Sequence, residues 1–214
     1  MPKTLATAVC FVRHGTTAAT GRILSGRTPG LHLSDKGLDE ATSVGDSFAK
    51  IAVSAVYSSP LERAKETASV IANRVGKPVS ISSGLLECDF GDWTGEPLAK
   101  LRRLAEWKMA ERWPSGFRFP DGESFLELES RVGETVRELC RAHPGEIVVA
   151  VSHADSIKAA LVSALGLPLD HLHRLVIVPC SVSTVLYSAE GPAVVSMGSE
   201  AAPLGLTRLR EVSR

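Results

Sequence analysis

The 214-residue chain has no cysteines close enough to act together. Cys10, Cys88, Cys140 and Cys180 stand 78, 52 and 40 residues apart, so they form neither a CxxC redox pair nor a zinc knuckle, and a reduced setting is expected. The chain also lacks an excess of charge: 24 Lys and Arg balance 24 Asp and Glu. That balance speaks against nucleic acid or an anionic membrane as a partner, since both favour basic surfaces. No apolar run is long enough to span a bilayer; the longest, residues 175–189, is broken by Pro179 and several serines. The N-terminal residues lack the layout of a secretory signal, so a cytoplasmic location is expected. There is no internal repeat, and no GxGxxG opens the first strand–helix turn, which counts against a dinucleotide-binding oxidoreductase. What is present is 44% hydrophobic residues against 22% charged, enough for a buried core. The length fits one domain over residues 1–214.

Short apolar runs alternate with segments of helical period, the pattern of a three-layer α/β/α fold with a mostly parallel central sheet. Strands are expected at Ala8–Val12, Val53–Tyr57, Val79–Ile81 and Ile147–Val151, and then at Leu175–Val178, Ser183–Tyr187 and Val194–Met197. Ser34 suits the N-cap of a helix carrying Leu38, Ala41, Gly45, Phe48 and Ala52 on one face. Ser59-Pro60-Leu61-Glu62 reads as a second helix start, with Ser59 as its cap and Gly76 as its end. A capping box, Ser124 with Glu127, opens a helix that buries Phe125, Leu128, Val132, Val136 and Leu139. Between these lies an irregular, basic stretch, helical over Pro97–Arg112 and then broken by Pro114, Gly116, Pro120 and Gly122. It reads as a lid-like excursion at about 96–124, and the tail after about 198 reads as loosely held.

In an open parallel sheet, ligands bind beyond the carboxyl ends of the strands. Three such ends here carry unusual residues: Arg13-His14-Gly15 after the first strand, Ser58-Ser59-Pro60-Leu61-Glu62-Arg63 after the second, and Ser152-His153-Ala154-Asp155 after the late one. Two arginines and two histidines facing one crevice beside helix N-termini suit a small, doubly charged oxyanion, for which phosphate is the natural candidate. Each residue alone is ordinary: His14 a strand-end histidine, Arg63 a surface arginine, His153 a buried ring bonded to a carbonyl. Their shared topological position is what raises them above chance.

The conjunction of Arg13-His14-Gly15, Ser58 through Ala64, Glu87 with Phe90-Gly91-Asp92-Trp93-Thr94-Gly95, Gly122-Glu123-Ser124 and Ser152-His153 resembles the histidine phosphatase superfamily, in its phosphoglycerate-mutase-like branch. The resemblance covers about residues 8–187. It implies that His14 is the nucleophile, forming a phosphohistidine, and that Arg13 and Arg63 clamp the phosphoryl oxygens with their planar forks. It implies that His153, held cationic by phosphate, completes the pocket, and that Glu87 is the general acid and later the base, with a pKa above the usual carboxylate range. Sequence pattern alone does not separate Glu87 from Asp89 and Asp92. Further substrate contacts are implied at Thr20, Ser25, Gly26 and Ala154, Thr20 standing where relatives carry Asn. No metal or other cofactor is called for, and His171-Leu172-His173, without a third ligand at suitable spacing, is expected in a solvent-facing loop.

Within that family the main division is hydrolysis against phosphate shuttling on phosphoglycerate. Mutases follow Arg-His-Gly with an acidic or amide residue and carry Trp-Asn shortly after, whereas here stand Thr16, Ala19 and Thr20. Only 66 residues separate Glu87 from His153, a shorter cover than a mutase uses to keep water from its phosphohistidine. Both departures favour a phosphatase acting on a small phosphorylated metabolite. Arg102-Arg103 keep the mutase reading open, and a non-catalytic phosphate-binding protein is the alternative from another class. Oligomeric state is not legible in the sequence.

Overall fold

The computed structural model describes residues 6–203, 205 and 206. Six strands form one sheet, β1 (Thr7–Arg13), β2 (Val53–Ser58), β3 (Val79–Ile81), β4 (Ile147–Ser152), β5 (Val182–Ser188) and β6 (Gly191–Ser199), in the spatial order β3-β2-β4-β1-β5-β6. The first four run parallel, with β4 central between β2 and β1. β5 and β6 are antiparallel, so the sheet is mixed, with its parallel part at the site. Strand pleat splits the continuous apolar runs into two faces. Val9, Phe11, Val148 and Ala150 point into one core, whereas Ala8, Cys10, Val12, Val149 and Val151 point into the other.

Among the described residues, six helices cover these faces: α1 (Asp35–Phe48), α2 (Glu62–Val75), α3 (Leu98–Leu101), α4 (Ala105–Arg112), α5 (Phe125–Ala142) and α6 (Ala154–Leu165). The apolar stripes of α1 and α2 close one face, through residues such as Phe48 and Ile71. Those of α5 and α6, with the aromatic excursion, close the other. Ser34 caps α1 as expected, its hydroxyl accepting from Gly37 N–H at 3.2 Å. The Ser124–Glu127 capping box of α5 is complete. The basic stretch is two short helices, not one, since the chain turns at Arg102–Leu104 between α3 and α4. Among the described residues, no helix is long and apolar enough to cross a membrane.

The structure corrects two expectations. Leu175–Val178 is β-branched and apolar yet is not a strand, because the free edge of β1 is already taken by β5, in register from Val12–Val182 to Thr7–Tyr187. The run instead lies over the site, where the Ile177 carbonyl accepts a hydrogen bond from the Arg13 side chain and Val176 is left 77% exposed. Ser59 does not cap α2 either. Leu61 is its N-cap residue and makes no side-chain cap bond, while the Ser59 hydroxyl is directed to a histidine. In the segment after 198, Ala202 and Leu206 are buried against the α1 and α2 side; residue 204 and residues 207–214 lie outside the described residues.

Candidate functional site

β1 and β4 are parallel neighbours whose following helices leave to opposite faces of the sheet, α1 to one and α6 to the other. That divergence opens a crevice beyond their carboxyl ends. Pairing holds the ends level: His14 N–H donates to Ser152 O at 3.0 Å, and Ser59 N–H to Val151 O at 3.0 Å. The loop after His14 is pressed onto α1 so closely that a Cβ on Gly15 would stand 2.6 Å from the Gly37 carbonyl oxygen. Only glycine fits there. Gly15 N–H is also tied to Thr67 Oγ1 on α2 at 3.1 Å.

The four charged or titratable groups of the three strand ends meet as expected. Arg63 is 1% exposed, His14 7% and His153 0%. The His14 and His153 ring centroids are 5.1 Å apart. His14 Nδ1 lies 2.8 Å from Gly15 O. A carbonyl can only accept, so Nδ1 carries the proton and Nε2 keeps its lone pair. Arg63 Nε donates to that Nε2 at 3.3 Å. Arg63 Nη2 reaches Gly26 O at 2.7 Å and His153 Nδ1 at 3.4 Å, and its Nη1 reaches Thr28 O at 3.3 Å. Since arginine only donates, His153 Nδ1 accepts, and its protonated Nε2 donates to Ser59 Oγ at 2.8 Å. Burial first, then the nearby Arg63 and Arg13, bring His14 down to about 3. Burial, the facing His14 and the same arginines hold His153 well below the ordinary histidine value. Without a ligand both rings are neutral at pH 7.

Arg13 Nη1 donates to Ile177 O at 2.7 Å, while Arg13 Nε is buried with no hydrogen-bond partner among the described residues. Burial draws both arginines below their usual range, opposed chiefly by the Glu87 charge. The site is thus a desolvated cationic pocket holding a donor that has no acceptor, the condition an incoming oxyanion relieves.

Glu87 sits at the start of α6. Its Oε1 accepts from Cys88 N–H at 3.0 Å, Ser156 N–H at 3.2 Å and Ser156 Oγ at 3.3 Å, and its Oε2 from Asp155 N–H at 3.4 Å. Burial and the neighbouring Asp155 raise its pKa, against the lowering effect of those N–H groups and Arg63. Its rivals differ. Asp89 is paired with Arg27 at 3.1 Å and Asp92 is exposed. Behind Glu87, Arg131 and Arg27 grip its own carbonyl, at 3.3 and 3.0 Å. Arg131 also forks onto Glu123 at 2.8 and 2.9 Å.

Of the other expected contacts, Gly26 and Ala154 lie at the site, the first through its carbonyl on Arg63 and the second as the first residue of α6. The Thr20 hydroxyl is occupied within its own turn, accepting from Thr17 N–H at 2.9 Å. Ser25 offers its carbonyl to Thr28 N–H, and no side-chain bond from it to the site is seen among the described residues. His171 and His173 are half-buried rather than solvent-facing, His173 packing edge-on to Phe125. Sequence reasoning missed Ser59 as a histidine partner, Ser156 as a carboxyl partner, and the carbonyls of Thr28 and Ile177. A backbone carbonyl leaves no residue-type signal. Ser156, two residues after Ala154, was the one with a legible cue. No group of three or more His, Cys, Asp or Glu able to hold a metal occurs among the described residues.

The family model described as histidine phosphatase superfamily (branch 1) matches residues 9–200. A glucosyl-3-phosphoglycerate phosphatase of Mycolicibacterium vanbaalenii is 34% identical over 176 residues, 75% of each chain. A probable phosphoglycerate mutase GpmB of Salmonella arizonae is 32% identical over 188 residues, 84% of each chain. Some mycobacterial relatives are longer, and the chain spans about half of them, 53%. The solved structure of Bacillus stearothermophilus YhfR superposes with a TM-score of 0.85 at 26% identity, covering 91% of this chain and 98% of that one. By matched length and by identity alike, the chain belongs to the histidine phosphatase superfamily, branch 1.

Proposed function

We propose that the protein is a phosphatase that hydrolyses small phosphomonoesters through a phosphohistidine on His14. One observation carries the reading: His14 Nε2 is kept unprotonated by the Nδ1–H bond to Gly15 O, and Arg63 stands 3.3 Å away as its donor. When the ester enters, Arg63 and Arg13 turn donors from ring nitrogen and empty space to phosphoryl oxygens. The lone pair of Nε2 is then free to attack phosphorus in line. As the N–P bond forms and the P–O bond to the alcohol breaks, Glu87, whose pKa burial raises, gives a proton to the leaving oxygen. Its carboxylate then takes a proton from water, whose oxygen attacks phosphorus, breaks the N–P bond and releases inorganic phosphate. The dianion facing His153 supplies the counter-charge that the empty pocket lacks and lets that ring protonate, adding a third cation to the clamp.

The excursion over 96–124 acts as the cover on the leaving-group side. Leu24 N–H to Glu96 O at 2.9 Å and Leu98 N–H to Arg22 O at 3.0 Å anchor it beside the Gly26 loop. A mutase reading is supported by Arg102-Arg103 and by the 32% identity to the probable phosphoglycerate mutase. The short cover and Thr16, Ala19 and Thr20 weigh the other way. The test is phosphate release from p-nitrophenyl phosphate in excess EDTA, expected in the wild type and abolished in His14→Ala. Undiminished turnover in the variant overturns the nucleophile assignment. Supplying 3-phosphoglycerate with catalytic 2,3-bisphosphoglycerate separates the two activities, 2-phosphoglycerate being expected only from a mutase.

A further inference from the structure

A cavity of about 160 Å³ lies between the excursion and the start of α6. Leu24, Phe90, Trp107 and Phe119 give it apolar walls, with Ala110 of α4 at its side. Two of its wall residues belong to the site's own scaffold. Asp155 donates its N–H to Glu87 Oε2 at 3.4 Å. Phe90 stands 3.0 Å from where a Cβ of Gly26 would be, and the Gly26 carbonyl holds Arg63. The cavity therefore shares Asp155 and Phe90 with the scaffold of the groups that handle the phosphoryl oxygens and the leaving oxygen. Its size is that of cavities that accept a single benzene ring, about 150 Å³.

Its charges are arranged against a second anion. Lys158 is paired with Asp155 at 2.9 Å, Glu111 adds a carboxylate, and burial disfavours the charged form of His173. One polar group of a wall residue is unpaired: Trp107 Nε1 is buried with no hydrogen-bond partner among the described residues. A carboxylate or second phosphate on the leaving group would enter a site with no free cation among these wall residues, whereas an apolar ring needs no counter-charge and gains from the apolar walls.

We infer that this cavity is the leaving-group subsite, and that the preferred substrates are phosphomonoesters of neutral alcohols carrying a ring-sized apolar body. The inference rests on the phosphatase reading above and specifies its substrate. Benzyl phosphate and glycerol phosphate both release an aliphatic alkoxide, so their chemistry is matched and their ratio reads the cavity. Benzyl phosphate is expected to show a kcat/KM about tenfold higher, the order given by withdrawing roughly half a phenyl ring's surface from water. 3-Phosphoglycerate should be poorer than either. Ala110→Leu, which fills the cavity, should move the benzyl-to-glycerol ratio towards one; a ratio that stays at its wild-type value overturns the assignment. Independently of any variant, benzylphosphonate should inhibit or bind about tenfold more tightly than methylphosphonate, and equal affinities refute the subsite. If no ester is turned over, the phosphatase reading falls, and the phosphonate pair still decides the cavity.

Discussion

Replacing Arg63 by methionine separates what the site costs from what it does. Arg63 is buried and makes two hydrogen bonds to backbone carbonyls, Gly26 at 2.7 Å and Thr28 at 3.3 Å. Losing them leaves two neutral acceptors unpaired, about 1–3 kcal/mol each. Against that, the substitution removes a desolvated cation lying near Arg13, a group whose burial penalty is itself several kcal/mol. The two contributions oppose each other and leave a net change within about 2 kcal/mol, or roughly 5 °C in Tm for a chain of this size. Catalysis has no such offset. Two charge-assisted bonds to the transferring group, at about 1.5–3 kcal/mol each, disappear, and kcat/KM should fall by about 10²–10⁴. Thermal melts without phosphate and steady-state kinetics measure both sides, and the stabilisation given by added phosphate should shrink in parallel. A Tm drop beyond about 10 °C would refute the reasoning, because Arg63 would then be chiefly a structural cross-link between α2 and the 26–28 loop.

Glu87→Gln keeps the shape but cannot give up a proton. Turnover of alkyl phosphates should fall about 10²–10⁴-fold, while p-nitrophenyl phosphate, whose leaving group departs unprotonated, should lose far less; equal losses on both count against the acid role. His14 is lowered to about 3 and His153 also lies well below its unfolded value. Below about pH 6.5 the unfolded chain therefore binds protons that the native site refuses, and stability falls with pH until the lowered values are reached. The slope from these two rings reaches at most about 2.7 kcal/mol per pH unit; Glu87, with its raised pKa, works in the opposite sense. Denaturant titrations of wild type and His14→Gln between pH 7 and 4.5 should show a shallower loss in the variant, and identical slopes contradict this. Gly91 has φ +50°, and a Cβ there would lie 2.0 Å from the Pro120 carbonyl oxygen. Gly91→Ala should destabilise by about 3 kcal/mol or more, visible as a lower denaturation midpoint; a wild-type midpoint would argue that the 89–93 and 119–123 segments do not interleave.

The three strand ends were legible because sheet and helix periods switch where Arg13, Arg63 and His153 stand, and the topology rule places such switches together. The same local reasoning failed at Ser59. Ser-Pro ahead of a helical run fits a cap equally well whether its hydroxyl turns to the helix or to a histidine 94 residues later. It failed again at Leu175–Val178, whose composition is that of a strand, because strand formation depends on an unoccupied neighbour and β5 holds that edge. Glu87 could be told from Asp89 and Asp92 only by family likeness, since its burial comes from α6, which lies more than 60 residues on in sequence. The leaving-group cavity was out of reach altogether. Its walls come from Leu24, Phe90, the excursion, α5, α6 and His173, six places with no common sequence period.

The neutral histidines, and an Arg13 Nε without a partner among the described residues, bear on turnover. Every group that grips the ester grips the three oxygens that the ester shares with free phosphate. Only the fourth oxygen, with its carbon, tells substrate from product, and it lies on the side of Glu87 and the cavity. Orthophosphate released at the end of the cycle therefore sits in the same trap that captured the ester. Free phosphate therefore competes with the ester for the same groups, and turnover should fall as the phosphate concentration around the protein rises.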